Sequence, residues 1–563
     1  MRPTAGSAAR ARFASRRRYG SFAGHCPQPD GLPGRRPTAG GPPILPPSIS
    51  EPDRTAEPRR RCRYPARPTL ATKRRQAART QTGTAASGKR PAKKPAARNL
   101  PVRKSAPKNA SATKTARSKK VGVWLFGAYG GLATTLVVGT RAMARGLADT
   151  RGLTTESDVA RDIPFRPIDT FVFGGHEIRS SDFAQAAAEI GEQTGTLSTE
   201  LLRKLKRDLL AQSKNVVEGY APNAGATIEK LRSGKKPKPL SLRTQAARIE
   251  RDIKAFQKKH RLERVICVNL TSTEPLLRLG AAHKSIEAFE RALDDDRQKA
   301  VRPSALYAYV AAKLGMPFVH FTPSNSALTP AIEQLFAKNN TPFMGCDGKT
   351  GETLVKSALA PMFLYRNLKV LSWQGYNMLG DRDGVVLADG ENKRSKVESK
   401  DGLLPSILGY PLHTHVAIDY VPSLHDLKTA WDFIHFEGFL GFKMSLQFTW
   451  QGCDAILAAP LVLDLIRFAD LAATRGEGGP MPHLACFFKA PFGVDEHDLH
   501  RQWQMLGDYL DGVRGGADAA KTVEGPLHDS ANDSAKTRKP IKPRNPVKPR
   551  NPRTARPKKA KRS

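Results

Sequence analysis

Short runs rich in Val, Ile and Phe, each closed by a glycine or polar turn, punctuate the middle of this chain at residues 121–126, 170–173, 264–270 and 317–321. Their length and β-branched content predict buried strands. The second ends in Gly174-Gly175-His176-Glu177, the third in Thr271-Ser272-Thr273-Glu274, and the fourth in Thr322-Pro323-Ser324-Asn325. Polar loops after apolar strands, alternating with helices, predict an α/β fold built on a doubly wound parallel sheet, with its ligand across the carboxyl ends of the strands. From 344 to 449 the pattern turns strand-like, as at 414–421 and 444–449, which predicts an inserted α+β domain. A Leu-, Ile- and Ala-rich helix at 455–473 then brings the chain back to the first domain. The expected order is a first domain over 119–343, an insertion over 344–449 and a return over 450–515.

Charge separates the ends from this centre. Residues 1–120 hold 30 Lys/Arg against 4 Asp/Glu and residues 516–563 hold 14 against 4, so the middle keeps only +4 of the net +40. A nearly neutral centre with abundant Leu, Ala, Phe and Val can bury a large core. Tails of Arg, Pro, Ala, Ser and Lys bury too little to offset the entropy of folding, so 1–118 and 516–563 are expected to be disordered and basic. The tail repeat Lys542-Pro543-Arg544-Asn545-Pro546 and Lys548-Pro549-Arg550-Asn551-Pro552 can neutralise phosphates without reading sequence. No aromatic platform is interleaved with it, so a merely solvated tail is the favoured reading, with nucleic-acid contact, confined to the tails, as the alternative. Six cysteines without any CxxC spacing argue against a disulfide framework or a structural zinc site and fit a reducing cytoplasm.

Residues 121–140 carry no charge and follow Lys119-Lys120, a pattern shared with membrane anchors. Five glycines interrupt the run and divide it into a strand, the turn Gly127-Ala128-Tyr129-Gly130-Gly131 and a helix from about Leu132. A dinucleotide-binding βα unit begins this way, because small residues let the backbone approach a pyrophosphate seated on the helix N-terminus. Glu177, at the end of the second strand, stands where a ribose hydroxyl acceptor belongs. The glycine spacing departs from a strict GxGxxG. No membrane partner is expected.

A second candidate site spans 345–400. Gly345-Cys346-Asp347-Gly348-Lys349-Thr350-Gly351-Glu352-Thr353 opens an apolar run at 354–362, offering free N–H groups and a positive helix end to an anion. Lys396 and Lys400, four apart, share one helical face and repel unless an anion lies between them. Lys489 sits between Phe488 and Ala490, where an idle charge is costly. Asp347 and Asp383 beside glycine also fit simple turn formers. Together these residues suit a phosphorylated substrate.

GCDGKTGETLVKS, SWQGYNMLGDRDG, KRSKVESK, Asp426-Leu427-Lys428-Thr429-Ala430, the segment 451–460 and Phe487-Phe488-Lys489-Ala490-Pro491 follow in order between Val121 and about Gly493. Through them the sequence resembles the myo-inositol-1-phosphate synthase family, and more closely its shorter archaeal and bacterial branch. The resemblance implies an NAD-binding Rossmann-like domain and an isomerase that converts D-glucose 6-phosphate to 1D-myo-inositol 3-phosphate, for inositol and phospholipid biosynthesis. In that chemistry NAD oxidises carbon 5, a proton leaves carbon 6, carbon 6 attacks the carbon 1 aldehyde, and the ring ketone is reduced again. A homotetramer formed through the inserted sheet domain is also implied.

Carried over by motif, the catalytic residues are Lys396, Lys400, Lys428, Lys489, Asp383 and Asp454. Lys396 is placed near the oxygen on carbon 5, and Lys489 at the substrate oxygens. The phosphate falls to Thr350, Gly351 and Glu352 with Lys400 and Lys428. The cofactor falls to Gly127, Tyr129, Gly130, Gly131, Glu177, Ser272, Thr273, Asp347, Asn377, Leu379 and Asp383. Family members differ in whether a divalent or a monovalent cation supports activity, and no metal ligand is assigned here. Asp381, Asp383 and Glu352 offer hard oxygens, which charge balance in a lysine-rich pocket explains equally well.

Three departures from the family pattern bear on the site. Glu352 replaces a frequent Gln, which either adds negative charge beside the phosphate loop or holds a cation there. Glu177 replaces a frequent Asp, and the glycine turn carries Ala-Tyr where eukaryotic members carry Asn-Asn. The competing readings are another NAD-dependent sugar-phosphate dehydrogenase, or a basic nucleic-acid-binding protein with an inactive centre. The presence of all four lysines counts against the latter.

Overall fold

A computed structural model describes residues 119–234, 238–387 and 403–516, the side chain of Asp383 excepted. Lys396, Lys400 and nearly all of both basic tails lie outside the described residues. Strands β1 (Val121–Phe126), β2 (Phe171–Glu177), β3 (Val216–Glu218), β4 (Val265–Asn269), β5 (Phe318–His320), β6 (Pro342–Gly345) and the late β11 (Gly479–Pro480) form one sheet in the order β11-β6-β5-β4-β1-β2-β3. Every pairing in it is parallel.

Period-two alternation in β1 explains the layering. Val121, Val123 and Leu125 enter one core, shared with helices α1 (Gly131–Ala144) and a long helix at 454–475. Trp124 and Phe126 enter the opposite core, against α2 (Leu242–His260) and α3 (Pro303–Lys313). All five side chains are buried, each contributing roughly 1.5–3 kcal/mol over exposure. The strand order reverses between β1 and β4, so the loops after these two strands diverge and leave a crevice at their carboxyl ends.

Strands β7 (Lys369–Leu379), β8 (His413–Tyr420), β9 (Leu427–Glu437) and β10 (Lys443–Cys453) form a second sheet, order β10-β9-β7-β8, parallel only between β7 and β8. One face packs Trp373, Val370 and Ile434 against Phe363 of α4 (Gly351–Tyr365). From the other face Trp431, tilted against Tyr376, remains partly exposed. The helix at 454–475, α5 (Asp454–Arg475), then crosses back onto α1, and α6 (Leu499–Arg514) closes the described chain.

Three expectations shift. The strand expected at 170–173 runs on through both glycines to Glu177, because Gly175 and Glu177 still pair with Val216 and Glu218 of β3. The boundary expected at 343/344 cuts β6, whose Phe343 and Met344 are buried in the larger sheet. The one at 449/450 cuts β10, which stays paired with β9 as far as Cys453 opposite Leu427. Residues 121–140 fold as strand, turn and helix, and no helix among the described residues is long and apolar enough to cross a membrane.

Candidate active site

The crevice at the strand reversal is a cleft of about 340 Å³. Its near end is made by the glycine turn after β1. Gly127 has φ +84°, and an added Cβ would lie 3.3 Å from the Leu270 carbonyl oxygen, so only glycine lets β1 turn this close to the loop after β4. The Gly127 and Ala128 N–H groups donate to the His176 carbonyl at 3.0 and 3.1 Å. Gly130 caps α1 without a side-chain hydrogen bond, so the first turn of that helix offers its N–H groups to a ligand anion.

Glu177 fixes this turn. Its carboxylate accepts from Tyr129 N at 2.8 Å, Ile178 N at 2.8 Å and Arg179 N at 3.1 Å, while the Arg179 guanidinium donates to the Tyr129 carbonyl. Opposite, Thr271 donates from N and Oγ1 to Asn269 Oδ1, turning the chain so that Ser272 and Thr273 face the cleft. Glu274 behind them accepts from Ser304 N and Oγ and from Ser326 Oγ, and burial raises its carboxyl pKa above the usual range.

Charge gathers at the far end. The loop after β6 runs antiparallel to Phe487–Ala490. Cys346 N donates to Ala490 O at 2.9 Å, Lys489 N to Asp347 O at 2.7 Å, and Lys349 N to Phe487 O at 2.8 Å. Gly348 is obligatory there, since a Cβ would fall 2.0 Å from the Phe321 ring. Asp347 N donates to Thr322 O and Gly348 N to Phe321 O, so the N–H groups of residues 346–349 are all engaged and the first turn of α4, from Thr350 on, is left to present donors; Thr350 makes no side-chain cap. Lys489 and Asp347 are both buried, with Nζ 2.9 Å from Oδ1, which answers the cost of burying either charge. On the cleft's remaining wall Lys428 of β9 lies 3.1 Å from Asp454 at the start of α5. Asp426 next to it accepts from Cys453 Sγ at 2.7 Å, and burial pushes its carboxyl up, the Asp454 charge adding to the effect.

A family model described as myo-inositol-1-phosphate synthase matches residues 121–510. The chain belongs to the myo-inositol-1-phosphate synthase family. As a member it is an NAD-binding isomerase. It is 34% identical over 420 residues to inositol-3-phosphate synthase 1 of Bacteroides thetaiotaomicron, covering 69% of this chain and 95% of that protein. It is 27% identical over 389 residues to inositol-3-phosphate synthase 1 of Oryza sativa subsp. japonica, 63% and 75% of the two chains. In fold it is similar to the crystal structure of inositol-3-phosphate synthase from Caenorhabditis elegans, with TM-score 0.64 at 23% identity over 70% of this chain and 86% of that one.

In this family member Gly127, Tyr129, Gly130, Gly131, Glu177, Ser272, Thr273, Asp347, Thr350, Asp454 and Lys489 all line the one cleft, joined by Lys428 through Asp454. The uncapped α1, the close approach at Gly127 and the hydroxyls of Ser272 and Thr273 fit a dinucleotide. Asn377, Leu379 and Glu352 stand behind the wall instead. Glu352 is ion-paired to Lys356 and accepts from Asn377 Nδ2 at 2.6 Å, so its charge is met within a buried cluster. Lys356 Nζ also lies 3.6 Å from Asp432. Arg179, Tyr307 and Arg382 line the cleft without having been singled out. Arg179 lies two residues beyond Glu177, the only signal that could have found it. Among the described residues no three His, Cys, Asp or Glu side chains converge as a metal site.

Proposed function

We propose that this chain is an inositol-3-phosphate synthase, turning D-glucose 6-phosphate into 1D-myo-inositol 3-phosphate by oxidation, enolisation, intramolecular aldol closure and re-reduction. The observation carrying the reading is the buried Lys489–Asp347 pair facing the uncapped turn at Thr350, in the same cleft as the glycine turn. NAD, when bound, supplies the reversible oxidation at carbon 5. The protein's own groups do the rest. Thr350 and Gly351 seat the phosphate on the α4 N-terminus, and Lys428 approaches it from β9. Lys489, its ammonium oriented by Asp347, stabilises charge developing on substrate oxygens and passes a proton there. Lys396, Lys400 and Asp383 complete the set by family resemblance, Lys396 at the oxygen on carbon 5.

Residues 119–345 form the cofactor domain in this reading, 346–453 the insertion, and 454–515 the return. The exposed face of the second sheet, with Trp431 and Tyr376, is read as the surface through which a cytoplasmic homotetramer forms. The basic tails are read as accessory, with any nucleic-acid contact confined to them. Purified chain given NAD and glucose 6-phosphate is expected to yield an inositol monophosphate by mass spectrometry with no net change in nucleotide redox state. Accumulating reduced nucleotide without that product would favour a sugar-phosphate dehydrogenase instead.

A further inference from the structure

Lys349 lies inside the loop that carries Asp347 and Thr350. Its side chain is 1% exposed, so the ammonium has left water. The other two buried lysines of this region face carboxylates, Lys356 those of Glu352 and Asp432, Lys489 that of Asp347. Lys349 does not. Among the described residues its Nζ donates to one group, the amide oxygen of Gln502 on α6, and that amide is itself oriented by its Nε2 donating to the Glu496 carbonyl. Burial pushes the Lys349 amine down to about 8, with the nearby Cys486 sulfur opposing the shift and the charge of Lys489 adding to it. An ammonium that faces a dipole where its neighbours face carboxylates is a charge without a counter-charge, which costs stability unless an anion arrives.

The place where an anion would arrive is next in the chain. Thr350 belongs both to the cleft and to a second cavity of about 400 Å³, which lies behind the loop and is lined by Lys349, Leu354, Trp450, Leu457 and Trp503. The α4 turn is thus a thin wall with the cleft before it and apolar side chains behind. Because Lys349 itself is buried, its field toward the turn is less screened than that of a surface lysine.

We propose that Lys349 is a positioning cation for the substrate phosphate, its uncompensated charge held behind the Thr350–Gly351 turn by Gln502 and matched when a phosphate dianion settles on the first turn of α4. This rests on the reading that this turn takes the phosphate. Lys349 does not touch the substrate. It acts through its field and by tying the loop to α6.

Two substitutions test the idea in the full chain loaded with NAD: Lys349→Met, which deletes the buried charge, and Gln502→Glu, which gives it a permanent partner in nearly the same volume. Both are expected to unfold at a higher temperature than the wild type without phosphate, and to bind inorganic phosphate roughly tenfold more weakly by calorimetry. KM for glucose 6-phosphate should rise by a similar factor with kcat within about threefold, and NAD affinity should stay put. Wild-type phosphate affinity in either variant overturns the proposal, as does an equal loss of NAD affinity, which would mean general damage. If the wild type itself binds no phosphate, the reading of the turn fails and the proposal with it. If the wild type binds and both variants match it, only the role of Lys349 is lost.

Discussion

At the glycine-turn end of the cleft the backbone makes the site. Gly127, Gly130 and the first turn of α1 present neutral N–H dipoles, and a single carboxylate, Glu177, holds them in place from 48 residues away in sequence. At the Thr350 end the site is made by charges brought from elements far apart, with Lys489 and Asp347 separated by 142 residues. On the proposed function, the contrast follows from what each end has to do. A cofactor retained through the whole reaction needs shape and fixed dipoles, whereas oxyanions that appear and vanish during turnover need cations whose charge is already paid for by local carboxylates, so that little reorganises when the substrate's charge changes.

Breaking the charged end should have the largest consequence. Lys489→Ala is expected to reduce product formation by more than about a thousandfold while NAD stays bound, which mass spectrometry of the product and nucleotide absorbance would separate. Because Asp347 loses this cation in a buried place, stability to denaturant should also fall by about 3–5 kcal/mol. Turnover within tenfold of the wild type would remove Lys489 from the chemistry. Gly127→Ala strikes the other end. With φ at +84° and the Leu270 carbonyl 3.3 Å from the new Cβ, NAD affinity should weaken about tenfold or more and stability drop about 1–3 kcal/mol, with phosphate binding spared. If both ligands weaken together, the two ends of the cleft do not act separately. Lys428→Ala should be milder than the loss of Lys489. Lys428 lies nearer solvent than Lys489, so the loss is expected as a KM for glucose 6-phosphate raised roughly tenfold at unchanged NAD affinity.

The same contrast decides what the sequence could reveal. The glycine turn was legible because its parts are neighbours: strand, glycines and helix follow within 24 residues, from Val121 to Ala144. The parallel order was legible from apolar runs that end in polar loops. The carboxylate partners were not, because nothing local records that Lys489 runs antiparallel to Asp347 or that Lys356 fills the space between Glu352 and Asp432. Glu352 shows this most clearly. Its place in the loop motif suggested the phosphate, yet its backbone belongs to the α4 turn while its side chain faces the opposite way, into a buried charge cluster on β7 and β9. Lys349 was hidden for a related reason, since periodicity shows that a lysine sits in a loop but not whether a carboxylate will meet it. The boundaries at 343/344 and 449/450 missed because composition changes gradually through β6 and β10, while hydrogen-bonded pairing ends at a definite residue.

The smallest effect is expected from the residue that joins backbone and charge at the cofactor end. Glu177→Gln keeps one carbonyl oxygen to accept from Ile178 and Arg179, but puts an amide where the second oxygen accepted from Tyr129 N at 2.8 Å. The amide cannot accept there, and the Arg179 guanidinium beside it loses a negative neighbour, so the glycine turn should loosen without unfolding. NAD affinity is expected to fall threefold to tenfold, near 1 kcal/mol for one bond of this kind, measured by titration of the nucleotide. A loss as large as that from Gly127→Ala would show that the carboxylate holds the cofactor directly, by a hydrogen bond from the ribose, and does more than brace the turn. No loss at all would leave the turn's own backbone bonds, Gly127 and Ala128 to His176 and Gly130 to Gly127, as sufficient to hold its shape.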